Sequence, residues 1–216
     1  MSNLSLYHLV REPGVTSKKA PALILLHGYG SNEEDLFSFA SELPEEYFVI
    51  SVRAPYDLQP YGHAWYDIHF TMDNEKFSDN EQAVASRDII AQFIDQACEA
   101  YPIDKNKINL LGFSQGCILS YAIALTYPEK VRNIVALSGY INEDIIGDTK
   151  DKDYSHLDFY ISHGSVDQVI PVQWAQKAPE YLMQFNIKQC YAEFPVGHGV
   201  APQNFFDFKK WLEVRL

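Results

Sequence analysis

The sequence is poor in cysteine, with only Cys98, Cys117 and Cys190 among its 216 residues. Three scattered thiols cannot form a disulfide framework, and no C-x-x-C pair suggests structural zinc. Basic residues are also short: 17 Lys and Arg stand against 29 Asp and Glu, a net charge of −12. Such a surface repels phosphate backbones and anionic head groups, so nucleic acid is not an expected partner. No run is apolar for long enough to cross a bilayer, and no stable membrane insertion is expected. The opening MSNLSLYHLVREPG lacks a basic start followed by an apolar run. No signal peptide is expected from it, and the cytoplasm is the default location. Linkers, internal repeats and low-complexity tracts are missing too, so residues 1–216 read as a single domain.

What is present is ordinary globular material, 47% hydrophobic and 14% aromatic, with 21% charged residues. Short apolar runs alternate with amphipathic stretches of helix length. PALILLHG is a buried-strand run, and SNEEDLFSFASEL follows with Ser31 or Asn32 as N-cap and acids in its first turn. YFVISVRAP is the next strand, stopped by Pro55, and residues 55–80 form a turn-rich, aromatic-rich segment. EQAVASRDIIAQFIDQACEAY then places Ile90, Ile94, Ala97 and Tyr101 on one helical face. KINLLGF leads directly into QGCILSYAIALTY, which is apolar almost all round and therefore a buried helix. NIVALSG, LDFYISHG and QCYAEFP are further strands, with helices around VIPVQWAQKAPEYLMQF and PQNFFDFKKWLEV. This alternation predicts an α/β fold, a doubly wound, mostly parallel twisted sheet with helices on both faces. In such folds chemistry gathers at the carboxyl ends of the strands.

One strand end stands out. Gly112-Phe113-Ser114-Gln115-Gly116 matches G-x-S-x-G, and it sits where a strand turns at once into a buried helix. A turn that abrupt forces its middle residue into a strained conformation and requires small neighbours. The hydroxyl then projects at the sheet edge, ahead of a helix N-terminus that favours negative charge. A serine nucleophile needs a base, and the base needs an orienting acid. The elbow predicts both at later strand ends, acid first. Asp167 in HGSVDQVIP and His198 in EFPVGHGVAP meet that order.

Other candidates fit less well. Asp144, Asp148, Asp151 and Asp153 lie in one polar stretch that reads as a solvated turn, and Asp158 begins its strand rather than ending it. His8, His69 and His156 have no defensible strand-end position, and His163 reads as support for the Asp167 loop. The oxyanion donors expected for such an elbow are the N–H of Gln115, after the nucleophile, and that of Tyr29 in LLHGYGSNEED. Gly28 and Gly30 would let that backbone approach a substrate closely.

With these pieces together, the sequence resembles the phospholipase/carboxylesterase branch of the α/β-hydrolases, which includes the acyl-protein thioesterases. The likeness runs over nearly the whole chain, through ILLHGYGSNEEDL, HAWYDI, GFSQG, HGSVDQVIP and GHGV. It implies Ser114 as nucleophile, His198 as general base and acid, Asp167 as its orienter, and Tyr29 and Gln115 as the oxyanion hole. The region of Asp148 to Asp153 and His156 carries no family signature. The dienelactone-hydrolase branch uses cysteine at the elbow, where this chain has Ser114; Cys117 lies inside the helix.

The connection from Tyr140 to Ser155 is too short for a large cap domain. The expected site is therefore an uncapped groove bordered by Trp65, Tyr66 and Ile141. Short to medium acyl esters, hydrolysed through an acyl-serine with no cofactor and no metal, are the expected substrates. A thioesterase or lysophospholipase using the same triad is the alternative, since all three substrates share one tetrahedral intermediate. More distant readings are a noncatalytic binding module, which the intact triad disfavours, and a metal hydrolase built on His63, Asp67 and His69, whose spacing defines no ligand set. The small-molecule ester is the expected partner, and a homodimer is compatible with the sequence.

Overall fold

Aliphatic runs buried on both faces mark a parallel sheet covered by helices, and the strands assemble in that way. The computed structural model describes residues 4–15, 18–70 and 76–216. Its elements in chain order are β1 (His8–Arg11), β2 (Ala20–Leu26), α1 (Glu33–Phe37), β3 (Phe48–Val52), β4 (Tyr56–Asp57) and β5 (His63–Ala64). There follow β6 (Ile68–Phe70), β7 (Lys76–Ser78), α2 (Asn80–Ala100), β8 (Ile103–Phe113), α3 (Gln115–Thr126) and β9 (Asn133–Leu137). The chain ends with β10 (Asp158–Gly164), α4 (Val172–Ala175), α5 (Ala178–Met183), β11 (Lys188–Phe194) and α6 (Pro202–Glu213).

Seven strands form one sheet in the order β1-β3-β2-β8-β9-β10-β11. Only the edge strand β1 is antiparallel, to β3; the remaining pairs are parallel. This is the doubly wound α/β sheet that the alternating pattern predicts. Alternate residues of β2 serve opposite cores. Ala22, Ile24 and Leu26 belong to the cluster containing Ile90 and Ile94 of α2 and Leu119 and Ile123 of α3. Leu23 and Leu25 belong to the cluster with Leu36 of α1 and Phe208 and Leu212 of α6. Each such leucine, isoleucine or phenylalanine, fully buried, contributes roughly 1.5–3 kcal/mol. All residues of α3 are buried, as its all-round apolar sequence requires.

Two helices are shorter than the sequence pattern suggests. Asn32 caps α1 by accepting the Glu34 N–H, but the helix stops at Phe37 and the chain continues in turns, with the Ser38 hydroxyl donating to the Asp35 carbonyl at 2.6 Å. The stretch after Asp167 is split into α4 and α5, with Pro179 in the first turn of α5. Proline has no N–H to continue a preceding helix.

The connectivity locates the site. From β2 the chain moves to β3 on one side, and β8 then joins β2 on the other. The carboxyl ends of β2 and β8 flank this switch point, where a crevice opens in doubly wound sheets.

Candidate active site

At the end of β8, Ser114 has φ 53° and ψ −116°, and α3 begins at the next residue. A positive φ at a non-glycine residue is backbone strain held by its surroundings. Here the surroundings are tight. A Cβ on Gly112 would lie 2.3 Å from the Gly116 carbonyl oxygen, and one on Gly116 would lie 2.0 Å from that of Leu26. Both glycines of the motif are therefore required by close backbone packing. The Ser114 N–H donates to the Leu137 carbonyl at 3.0 Å, tying the elbow to β9.

The three residues picked from the sequence meet in space. His198 Nε2 lies 2.9 Å from Ser114 Oγ, and His198 Nδ1 lies 2.7 Å from Asp167 Oδ2. Asp167 Oδ1 accepts the N–H groups of Val169 at 2.8 Å and Ile170 at 3.0 Å. Burial pushes the Asp167 carboxyl up, but hydrogen bonds from His198, Ile170 and Val169 together hold it below its ordinary value. The carboxylate is ionised, so His198 Nδ1 is the donor to it and Nε2 is free to accept the Ser114 hydroxyl proton. The loops carrying acid and histidine touch at Gly164, where a Cβ would sit 2.2 Å from the Gly197 carbonyl oxygen. His163 Nε2 donates to the Ile170 carbonyl at 2.9 Å and lies 3.3 Å from Asp167 Oδ2. It buttresses the acid's loop.

Tyr29 lies in the loop after β2 and lines the cleft, next to Gly28, which packs on the elbow: a Cβ there would be 3.1 Å from the Phe113 ring and 3.3 Å from Ser114 Cβ. Gln115 is the first residue of α3, so its N–H has no carbonyl a turn earlier to bond. His27 fixes the loop. Its buried ring accepts the Ala54 N–H at Nε2, 3.1 Å, so Nδ1 carries the hydrogen and donates to the Gly28 carbonyl at 2.8 Å. Burial lowers its pKa and keeps it neutral. Sequence reasoning missed this role; the available signal was a histidine ending an otherwise wholly apolar strand.

Trp65 is not a groove wall. It is 0% exposed and packs in the core, with its indole N–H donating to the His27 carbonyl at 2.9 Å. Gln115 reaches the same segment: Oε1 accepts the Trp65 N–H at 3.0 Å and Nε2 donates to the Tyr66 carbonyl at 2.8 Å. Trp65 thus acts on the loop beside the elbow and does not reach the cleft.

A cleft of about 420 Å³ opens over Ser114, lined by Tyr66 as expected and also by Ile118, Tyr140, Val169, Ile170 and Trp174. Ile141 lies elsewhere, in an adjoining cavity of about 290 Å³. Part of the cleft lining is polar. There Asn80 Nδ2 donates to Asp144 Oδ2 at 3.2 Å, and Asn142 Nδ2 donates to Asn80 Oδ1 at 3.1 Å. Asp144, read from the sequence as part of a solvated turn, is exposed but borders the substrate space. His63 and Asp67 are engaged separately, His63 with Asp57 at 2.9 Å and Asp67 with Gln82 Nε2 at 3.0 Å. The side chain of His69 lies outside the described residues. Among those residues no three His, Cys, Asp or Glu side chains converge on a point, and no helix is long and apolar enough to cross a membrane.

A family model described as Phospholipase/Carboxylesterase matches residues 10–216. Acyl-protein thioesterase 1 of Yarrowia lipolytica is 25% identical over 221 residues, covering 96% of this chain and 96% of that protein. Among solved structures, the Bacillus cereus carboxylesterase superposes with a TM-score of 0.84 at 21% identity, over 100% of this chain and 97% of that one. Acyl-protein thioesterase 2 of Zea mays gives 0.76 at 20% identity, over 96% and 98%. At these identities the two superpositions speak to the fold alone. The chain belongs to the phospholipase/carboxylesterase family of α/β-hydrolases.

Proposed function

From that membership and the geometry at Ser114, we propose that the protein is a serine hydrolase of carboxylic esters with short to medium acyl chains. Ser114 Oγ attacks the ester carbonyl as His198 Nε2 takes its proton, and Asp167 stabilises the resulting imidazolium. The N–H groups of Tyr29 and Gln115 receive the oxyanion. His198 returns the proton to the leaving alcohol, and the acyl group stays on Ser114. Water, deprotonated by His198, then releases the acid along the reverse path. The observation that carries this reading is the unbroken chain of hydrogen bonds from Asp167 through His198 to Ser114.

The cleft supports the substrate class. Among its described lining residues the charged or titratable side chains are Asp144, His198 and the tyrosines, with no lysine or arginine. Uncharged small esters suit such a wall better than polyanionic acyl carriers. Three free cysteines agree with work in the reducing cytoplasm.

Ser114→Ala should lower kcat by about 10⁶ and abolish fluorophosphonate labelling, since triad members act as a unit. Labelling that persists on another serine sinks the assignment. A second reading, thioester or lysolipid hydrolysis by the same residues, is favoured by the relatives named acyl-protein thioesterase 1. A rate that still climbs at palmitoyl length would select it.

A further inference from the structure

The catalytic cleft and the adjoining cavity share two lining residues, Tyr140 and Trp174. Their rings meet edge to face, centroids 4.9 Å apart and planes at 73°. Tyr140 is half-buried against the core. It follows Gly139, where a Cβ would lie 2.6 Å from Cys117 Sγ in the buried helix α3. Trp174 stands on α4, its N–H bonded to the Pro171 carbonyl at 2.9 Å. On the catalytic side, Ile118, Val169 and Ile170 give an apolar wall beside Ser114. On the far side, Ile141, Ala178 and Tyr181 give the second cavity an apolar wall, and Glu143 and Lys177 complete its lining.

An acyl chain extending from Ser114 gains only where its methylenes leave water for apolar surface. The Asn80, Asn142 and Asp144 side chains of the lining offer polar groups already bonded to one another. The favourable direction is along the apolar wall toward Trp174. We infer that the Tyr140–Trp174 pair is a partition that sets the acyl-chain limit, with the cavity behind it a latent extension of the acyl site. This rests on Ser114 being the nucleophile, as proposed above. Trp174 is thereby a specificity-determining residue that touches the end of the acyl chain.

The test is a series of p-nitrophenyl esters from acetyl to dodecanoyl, with kcat/KM normalised to the acetyl ester for each protein. Trp174→Ala should move the optimum by two or more methylenes. Each buried methylene is worth about 0.8 kcal/mol, or roughly fourfold, so the longer ester should gain about 15-fold relative to wild type. Ile141→Gln replaces part of the second cavity's apolar wall with an amide. Alone it should leave the wild-type profile unchanged, whereas in the Trp174→Ala background it should remove most of the gain. A Trp174→Ala profile that tracks wild type, or an Ile141→Gln effect equal in both backgrounds, overturns the partition. Trp174→Leu, a milder truncation, should give an intermediate shift and serves if the alanine variant does not fold. Ser114→Ala is assayed in parallel. Residual turnover there would fail the nucleophile assignment, whereas a dead Ser114→Ala beside an unmoved Trp174→Ala profile would fail the partition alone.

Discussion

Asp167→Asn isolates the part of the site that sets a proton's position rather than its charge alone. In the native site Oδ1 accepts two backbone N–H groups, from Val169 and Ile170, and Oδ2 faces His198 Nδ1 at 2.7 Å. An asparagine must choose which side receives its oxygen. Turning the NH₂ toward the two backbone donors would leave both without an acceptor, at about 1–3 kcal/mol each. The oxygen therefore stays with Val169 and Ile170, and the NH₂ faces His198 Nδ1. That ring nitrogen must then accept, which moves the imidazole hydrogen to Nε2, the atom 2.9 Å from Ser114 Oγ. A ring that donates there cannot take the serine proton. The expected loss in kcat on p-nitrophenyl acetate is on the order of 10⁴, with the fold intact by circular dichroism. Stability should change its pH dependence too. The Asp167 carboxyl sits below its ordinary value, so its contribution is fully present above the unfolded-state value near about 3.9 and is lost as pH falls through the lower folded value. Asp167→Asn lacks that term, so its unfolding midpoint should fall less steeply through that acid range. Retention of more than a tenth of kcat, or a larger loss in Asp144→Asn or Asp148→Asn, would refute the reasoning.

Three further outcomes follow from the packing around the elbow. Trp65→Ala should cost about 3–5 kcal/mol in urea unfolding by opening a core cavity and should depress turnover of all esters alike; a flattened chain-length profile at unchanged stability would put the indole against substrate instead. Gly116→Ala would set a methyl 2.0 Å from the Leu26 carbonyl oxygen, so the variant should lose about 3 kcal/mol or fail to fold, and normal stability would show that α3 can withdraw from β2. His27→Ala frees the Gly28 carbonyl and should lower kcat by up to about 10², within the range for a misplaced oxyanion donor, with KM little changed; a rise in KM alone would place His27 in binding.

The sheet was legible because its inner strands, such as β2, β3 and β9, are buried on both faces. Continuous runs such as LILL and NIVAL, alternating with helix-length amphipathic segments, fit a parallel sheet covered by helices. The three residues proposed as the triad could be read because each follows the carboxyl end of a strand, in the order an elbow of this kind requires. The helix lengths were harder, since propensity and spacing do not tell a five-residue helix from the turns that prolong it after Ser38. Trp65 and the cleft show the larger gap. HAWYDI reads equally as wall or core, and which way its indole points depends on the His27 carbonyl and the Gln115 side chain, 38 and 50 residues away in sequence. Trp174, on α4, and Asp144, in the connection after β9, reach the cleft only through the tertiary placement of those segments, which no local pattern encodes.

Those long-range bonds also bear on why the oxyanion hole is built as it is. Its two proposed donors come from separate strand ends, Tyr29 after β2 and Gln115 after β8, and a hole works only if their spacing is fixed before the oxyanion forms. Parallel pairing of the two strands sets their ends side by side but does not fix loops beyond them. The 65–66 segment supplies the missing constraint. Its indole holds the His27 carbonyl on one side, and its backbone is gripped by both ends of the Gln115 amide on the other. In the proposed site Gln115 is thus used twice, its N–H as an oxyanion donor and its side chain toward the clamp. Glutamate at that position would keep the acceptor for Trp65 but lose the donor to the Tyr66 carbonyl, and would bury a charge beside a developing anion. The amide answers both demands, which gives a physical reason for Gln rather than any other polar residue after Ser114.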